Sequence, residues 1–256
     1  MDAPPHPQAA DIAAALADGS AEERQAAYGT LETAVRGALT TSGSRKDDAV
    51  ALAVACVKPL VESVLCAPAA RVGEAEWVHA SLLLYEMCKV DWLLVCAELW
   101  RKNDTGELRV FTIWSAPDTV FAAMIAKEQW TRDDAVLAAS HYSFVLPALA
   151  GNCNQICSAA GVGEIEWVVA MVAANPIIGA NPQPEDRFIP LALLMIDLVR
   201  SEVDKQPEGI IGGVGIFWLW ASPARPSMGK ALWEAGFLVR SLSLSLSLSL
   251  SLCTPA

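Results

Sequence analysis

The chain has 256 residues and a formal net charge of −11, with 54% hydrophobic and 18% charged residues. That balance excludes a disordered chain. It also works against phosphate-backbone binding, which depends on clustered Lys and Arg, so we expect no nucleic-acid ligand. The acidity suits a basic or neutral protein or peptide partner, or serves only to keep an apolar-rich chain in solution.

The long uncharged stretches 135–163, 167–184 and 209–224 are each interrupted by Pro, Gly or polar residues. None holds the roughly 20 consecutive apolar residues of a membrane span, so no membrane partner is expected. The start, Met1-Asp2-Ala3-Pro4-Pro5-His6-Pro7, lacks a basic segment followed by an apolar run. This predicts an intracellular protein, cytoplasmic first and nuclear second. Seven cysteines, an odd number scattered through helical segments, read as reduced buried thiols rather than a disulfide framework. Cys153 and Cys157 share a helix face, but a structural zinc needs four ligands and no second pair or His lies nearby.

Taken in chain order, a flexible Pro-rich segment 1–10 leads into a short helix at 11–16, closed by Gly19-Ser20. Ser20 and Glu23 form a capping box, and Ala27, Leu31, Val35 and Leu39 recur at helical spacing after it. Asp47-Asp48 starts a helix over 49–56, and Pro59 separates it from the next, because Pro is tolerated only in a first helical turn. That next helix runs from 60 to 65. Others are expected at 74–87 and 91–100, followed by a turn at Asn103-Asp104-Thr105-Gly106. The stretch 108–114 reads as strand or helix. Further helices are predicted at 119–127, 135–149 (behind a second capping signature at Thr131–Asp134), 153–160, 164–174, 190–203 and 230–237. The Gly-rich 209–220 is open between states.

Val72-Gly73-Glu74-Ala75-Glu76-Trp77-Val78 returns as Val162-Gly163-Glu164-Ile165-Glu166-Trp167-Val168, with six of seven positions identical. Internal duplication at this distance, 162 minus 72 or 90 residues, points to a repeat architecture of two armadillo- or HEAT-sized units. Weaker echoes pair Val57-Lys58-Pro59 with Val145-Leu146-Pro147, and Trp114-Ser115-Ala116-Pro117 with Trp220-Ala221-Ser222-Pro223.

The run Ala55-Cys56-Val57-Lys58-Pro59-Leu60-Val61-Glu62-Ser63-Val64-Leu65-Cys66-Ala67-Pro68, with Val72 beyond it, resembles the stretch where one armadillo repeat ends and the next begins. Ile12, Leu16, Gly19-Ser20, Glu23, Arg24, Ala27 and Leu31 resemble a HEAT-type helix, turn and helix. The pattern departs after Val72, where Glu76 stands in place of a small residue. The chain also resembles the N-terminal part of longer armadillo-type proteins of algae, from which no activity carries over. The resemblance implies an all-α fold: an armadillo/HEAT-like α-solenoid of stacked helical hairpins with irregular, degenerate repeats over 11–238. Such a fold buries its hairpins against one another and offers a long partner surface. The implied function is a protein-interaction scaffold. The alternative is a helical-repeat enzyme or cofactor-handling protein with a pocket between helices, built from His141, Tyr142 and acidic residues.

No phosphate loop, dinucleotide turn, HExxH, EF-hand or GxSxG pattern occurs, so no catalytic, cofactor-binding or metal residue is assigned and no cofactor is expected. Of three histidines, His6 lies in the N-terminal segment, and His79 and His141 sit in helices without a surrounding motif. The nine tryptophans read first as core fillers, with Trp218 and Trp220 the pair to inspect for exposure. Residues 239–256 form a low-complexity tail with six Ser-Leu dipeptides. Val239-Arg240 is encodable by a splice-donor-like GTGAGG, so the tail reads as translated intron after Leu238, against the plain alternative of an authentic tail.

Overall fold

A computed structural model describes residues 6–144, 153–163, 175, 177 and 185–235. The sequence features at 1–5, 145–149, 164–174 and 239–256, with the second copy of the duplicated motif beyond Gly163, lie outside the described residues.

Among the described residues there are twelve α-helices and no strands, and the protein is all-α. They are α1 (Pro7–Asp18), α2 (Ala21–Thr40), α3 (Ser44–Leu60), α4 (Glu74–Val90), α5 (Trp92–Leu99), α6 (Arg109–Ser115), α7 (Val120–Ala126), α8 (Arg132–Ser143), α9 (Cys153–Ala160), α10 (Ile189–Ser201), α11 (Glu208–Ala224) and α12 (Pro226–Glu234). Two rows emerge from the packing. In one, α2 lies on α4, α4 on α8 and α8 on α11; in the other, α1 lies on α3, α3 on α5 and α5 on α9. Helices consecutive in sequence then join the rows, α2 to α3 and α4 to α5 among them. Short α6 and α7 bridge from the end of α3 to the start of α8. No helix of the described residues is long and apolar enough to cross a membrane.

Local chemistry explains most boundaries. The Ser20 Oγ accepts from the Glu23 amide at 3.3 Å while Glu23 accepts from the Ser20 amide at 2.7 Å, which satisfies two orphan donors at the start of α2. Thr131 and Asp134 do the same for α8. The turn at Asn103 is held by its side-chain oxygen, which accepts from the Thr105 and Glu107 amides, with Gly106 at φ 84°. Such a positive φ suits glycine, which has no Cβ to clash.

Two sequence expectations are corrected and two left open are settled. Helix α3 begins at Ser44 behind Gly43 (φ 76°), ahead of Asp47, which sits in its first turn. Pro59 does not separate helices: it lies inside α3, which continues into a π-helical turn at Val61–Leu65. Proline has no N–H for the carbonyl four residues back, so the hydrogen-bond register loosens there. It re-forms as a five-residue spacing, Cys66 N–H to Val61 O at 2.9 Å. The segment 108–114, read as strand or helix, is helical: α6 starts at Arg109, after an isolated bridge between Lys102 and Leu108. The Gly-rich 209–220 lies wholly inside α11.

Leu39 also differs from expectation. Ala27, Leu31 and Val35 are buried, but Leu39 is 46% exposed and Ala38 takes its place in the core. A four-residue step overshoots the 3.6-residue turn by about 40°, so three successive steps carry the side chain about 120° around the helix.

Glycine explains α11. A Cβ on Gly213 would fall 1.8 Å from the Ala139 carbonyl oxygen of α8, and one on Gly209 would fall 2.9 Å from the Tyr85 ring of α4. The missing side chains let α11 approach two helices at once, which offsets the helix propensity that glycine costs, about 1 kcal/mol each.

Candidate functional site

The two histidines the sequence singled out have different surroundings. His141, in the last turn of α8, is wholly buried. Its ring stacks on Phe121 at 3.8 Å and on Trp77 at 5.7 Å, with Tyr142 and Phe144 edge-on. The Trp114 indole N–H donates to Nε2. That nitrogen must therefore be unprotonated, which places the ring proton on Nδ1. Nδ1 has no hydrogen-bond partner among the described residues. Burial pushes the imidazole well below its ordinary range, so it is neutral despite sitting at a helix C-terminus, where the dipole favours a cation. Tyr142 is equally buried and donates to Asn175 Oδ1 at 3.2 Å. The acid on the same helix, Asp134, is engaged elsewhere. Burial would raise its pKa, but the Lys127 ammonium at 2.5 Å and the Thr131 amide and hydroxyl hold it below the usual range. His141, Tyr142 and Asp134 thus belong to the core and its caps, not to a cleft.

Trp77 of the duplicated motif joins this core, its N–H donating to the Leu65 carbonyl at the end of the π-turn, 3.1 Å away. Glu76, its neighbour, accepts two hydrogen bonds from Arg24, at 2.6 and 2.9 Å, and one from the Tyr28 hydroxyl at 2.8 Å. Arg24 pulls the Glu76 carboxyl below its ordinary pKa. Arg71 completes the cluster by donating to the Leu16 and Ala17 carbonyls, the open C-terminal end of α1. Four side chains thereby join α1, α2 and α4.

The other histidine lies on the surface. Helix α2 presents Glu32, Val35, Arg36 and Leu39; helix α4 presents His79, Leu82, Leu83 and Glu86. Both sets follow the i, i+3, i+4, i+7 spacing of one helical face. Between them, and against Pro207 before α11, lies a groove of about 330 Å³. Its floor is aliphatic, from half-exposed Leu39 to fully covered Val35 and Leu83. The rims are charged. At one end His79 Nε2 lies 2.5 Å from Glu32, and at the other Lys89 bonds Glu86 at 3.4 Å and Glu208 at 2.7 Å. A larger depression of about 550 Å³ lies across α1, α2 and α3, where small side chains such as Ala34, Gly37 and Ala38 meet Arg45, Asp48 and Leu52.

Sequence reasoning set Leu39 on one helical stripe with Ala27, Leu31 and Val35 and gave Glu32 and Glu86 no role. Each helix carried the spacing, but nothing in the sequence pairs α2 with α4 across 47 residues, the His79–Glu32 separation. Of the tryptophans, Trp77 and Trp100 are fully buried and Trp130 nearly so. Trp218 packs partly buried against the core, and the Trp220 side chain lies outside the described residues. Among the described residues the exposed tryptophan is Trp233, at 63%. Cys157 is buried, while the Cys153 side chain is outside the described residues. Among the described residues no cluster of three or more His, Cys, Asp or Glu is arranged to hold a metal.

No protein-family model matches the chain, and neither a curated protein nor a solved structure matches it.

Proposed function

We propose that the chain is an armadillo/HEAT-type helical-repeat protein that works as an interaction scaffold, with the α2–α4 groove as its partner surface. The reading is carried by one observation: two parallel amphipathic faces, each with the same helical spacing, flank an accessible aliphatic floor between charged rims. Helix-in-groove and extended-peptide partners use such surfaces, seating aliphatic side chains on the floor and polar ones at the rims. The two rows of helices support the repeat reading, because each helix buries its face on the next member of its row. The alternative of a pocket enzyme loses its candidate residues to the core, since His141 and Tyr142 are closed to solvent.

Peptide display on the whole protein tests the groove. We expect enriched peptides to share a large aliphatic residue and to lose binding at least tenfold on Leu39→Glu, a change at a half-exposed site that the fold tolerates. Peptides that bind Leu39→Glu as well as the parent chain, or a library that yields no enriched peptide, would sink the proposal.

A further inference from the structure

Two thiols meet inside the α4–α5 hairpin. Cys88 lies in the last turn of α4 and Cys96 in the middle of α5, on either side of the Asp91 junction. Both are fully buried, and their sulfur atoms are 3.8 Å apart. A disulfide needs about 2.05 Å, so each sulfur has to move on the order of 1 Å, within reach of side-chain rotation and a small helix adjustment. Cys66, by contrast, turns its sulfur to the Thr112 hydroxyl at 3.4 Å.

We infer that Cys88 and Cys96 form a modification site: on exposure to a peroxide they close into an intramolecular disulfide that pins α5 to α4. In the first step one thiol ionises, its thiolate attacks a peroxide oxygen, the O–O bond breaks, and a sulfenic acid forms while the leaving hydroxide takes up the thiol's proton as water. The second thiol then attacks the sulfenic sulfur, an S–S bond forms and a second water leaves. Overall two thiols lose two electrons and two protons, and the peroxide is reduced to water.

The closed structure restrains this reaction. The Cys88 sulfur and burial together hold the Cys96 thiol well above its ordinary range, so little thiolate is present at rest. Reaction therefore proceeds from an opened α5. That helix is suited to opening: it has eight residues, exposes Leu94 at 47%, and is capped by one side-chain contact, Asp91 accepting from the Leu94 amide at 3.0 Å. Because α5 packs on α3 and α9, the disulfide would fix one link of the second helix row. The inference is independent of the proposed groove, since neither cysteine lines it.

The test treats the native whole chain with hydrogen peroxide, alkylates remaining thiols, and maps the unreduced digest by mass spectrometry. The expected product is one cross-linked peptide pair containing Cys88 and Cys96, cleaved by dithiothreitol and absent from Cys96→Ser. Asp91→Ala should form it several-fold faster, because it removes the cap of α5 and a negative charge that raises the Cys96 thiol. A sulfinic or sulfonic acid on either cysteine without the cross-link, a cross-link to another cysteine, no oxidation in the folded protein, or an unchanged rate in Asp91→Ala would each overturn the inference.

Discussion

The α2–α4 and α8–α11 contacts solve one problem, bringing two helices of a row together, by opposite chemistry. Between α2 and α4 the chain uses long polar side chains: Arg24, Tyr28 and Glu76 span the gap, and the partners' side chains are 7% and 13% exposed for the ion pair itself. Between α8 and α11 it removes side chains, so that Gly213 rests on the Ala139 carbonyl. The first contact is specific, since each donor has a designated acceptor, but it must offset the desolvation of two charges. The second has no such cost at Gly213, where its specificity is steric. A polar clamp should therefore fail gradually with pH and conservative substitution, whereas a glycine contact should fail at once with a single methyl group.

The largest effect is expected at Gly213. Alanine is the better helix former by about 1 kcal/mol, so propensity alone predicts a gain. The new Cβ, however, meets a backbone oxygen that no rotamer change can move aside. We expect Gly213→Ala to lower stability by about 3 kcal/mol or more in urea titration, at the upper end of overpacking costs. A midpoint equal to the parent's would show that α8 and α11 slide apart freely and that the contact fixes nothing.

Arg24→Ala comes next. It leaves Glu76 largely buried with only the Tyr28 hydroxyl, beside an Arg71 already committed to α1 carbonyls. Breaking one partner of such a pair costs about 2–3 kcal/mol, less than for a fully enclosed pair because the rim of this one is wet. A double-mutant cycle with Glu76→Gln measures the coupling. Values near zero would move the clamp's contribution from charge to packing of the arginine stem.

The same pair sets a pH dependence. Glu76 has an ordinary value of 4.5 and a lower one in the fold, chiefly through Arg24. A depressed carboxylate contributes stability that is complete above the unfolded value and lost as pH falls through the folded one. Stability should thus fall below about pH 4.5, and Glu76→Gln should flatten that acid limb in urea titrations run from neutral to acid pH. An acid limb of unchanged slope in Glu76→Gln would assign it to other carboxylates, Asp134 first.

How much of this was legible beforehand follows the same division. Capping boxes at Ser20 and Thr131 are local, and the helices they start were readable from four consecutive residues. The Pro59 boundary was misread because the rule for proline is local while the outcome is tertiary. Packing of Leu60, Val61, Val64 and Leu65, all fully buried, outweighs a missing hydrogen bond and keeps the segment helical. The state of α11 was hidden for a similar reason. Its glycines argue against a helix in isolation and make sense only against Ala139 and Tyr85, over 70 residues away in sequence by simple subtraction of 139 from 213. His141 was noticed for its chemistry, yet its burial among rings from three other helices, α4, α6 and α7, was not written in its neighbours. The groove was invisible for want of the α2–α4 pairing, although Glu76, inside the duplicated motif, is the residue that makes that pairing.

The smallest prediction separates the steric account of α11 from a general intolerance of that helix to change. Gly215 lies in the same helix, two residues from Gly213, and a Cβ there meets nothing within 4 Å among the described residues. With no clash to oppose it, Gly215→Ala should express the propensity difference alone and raise stability by about 0.5–1 kcal/mol. The opposite signs at two glycines within one turn are what a close helix contact requires. If Gly215→Ala also destabilises, α11 needs its glycines for backbone freedom rather than for proximity, and the contrast between the polar and the glycine contact no longer rests on Ala139.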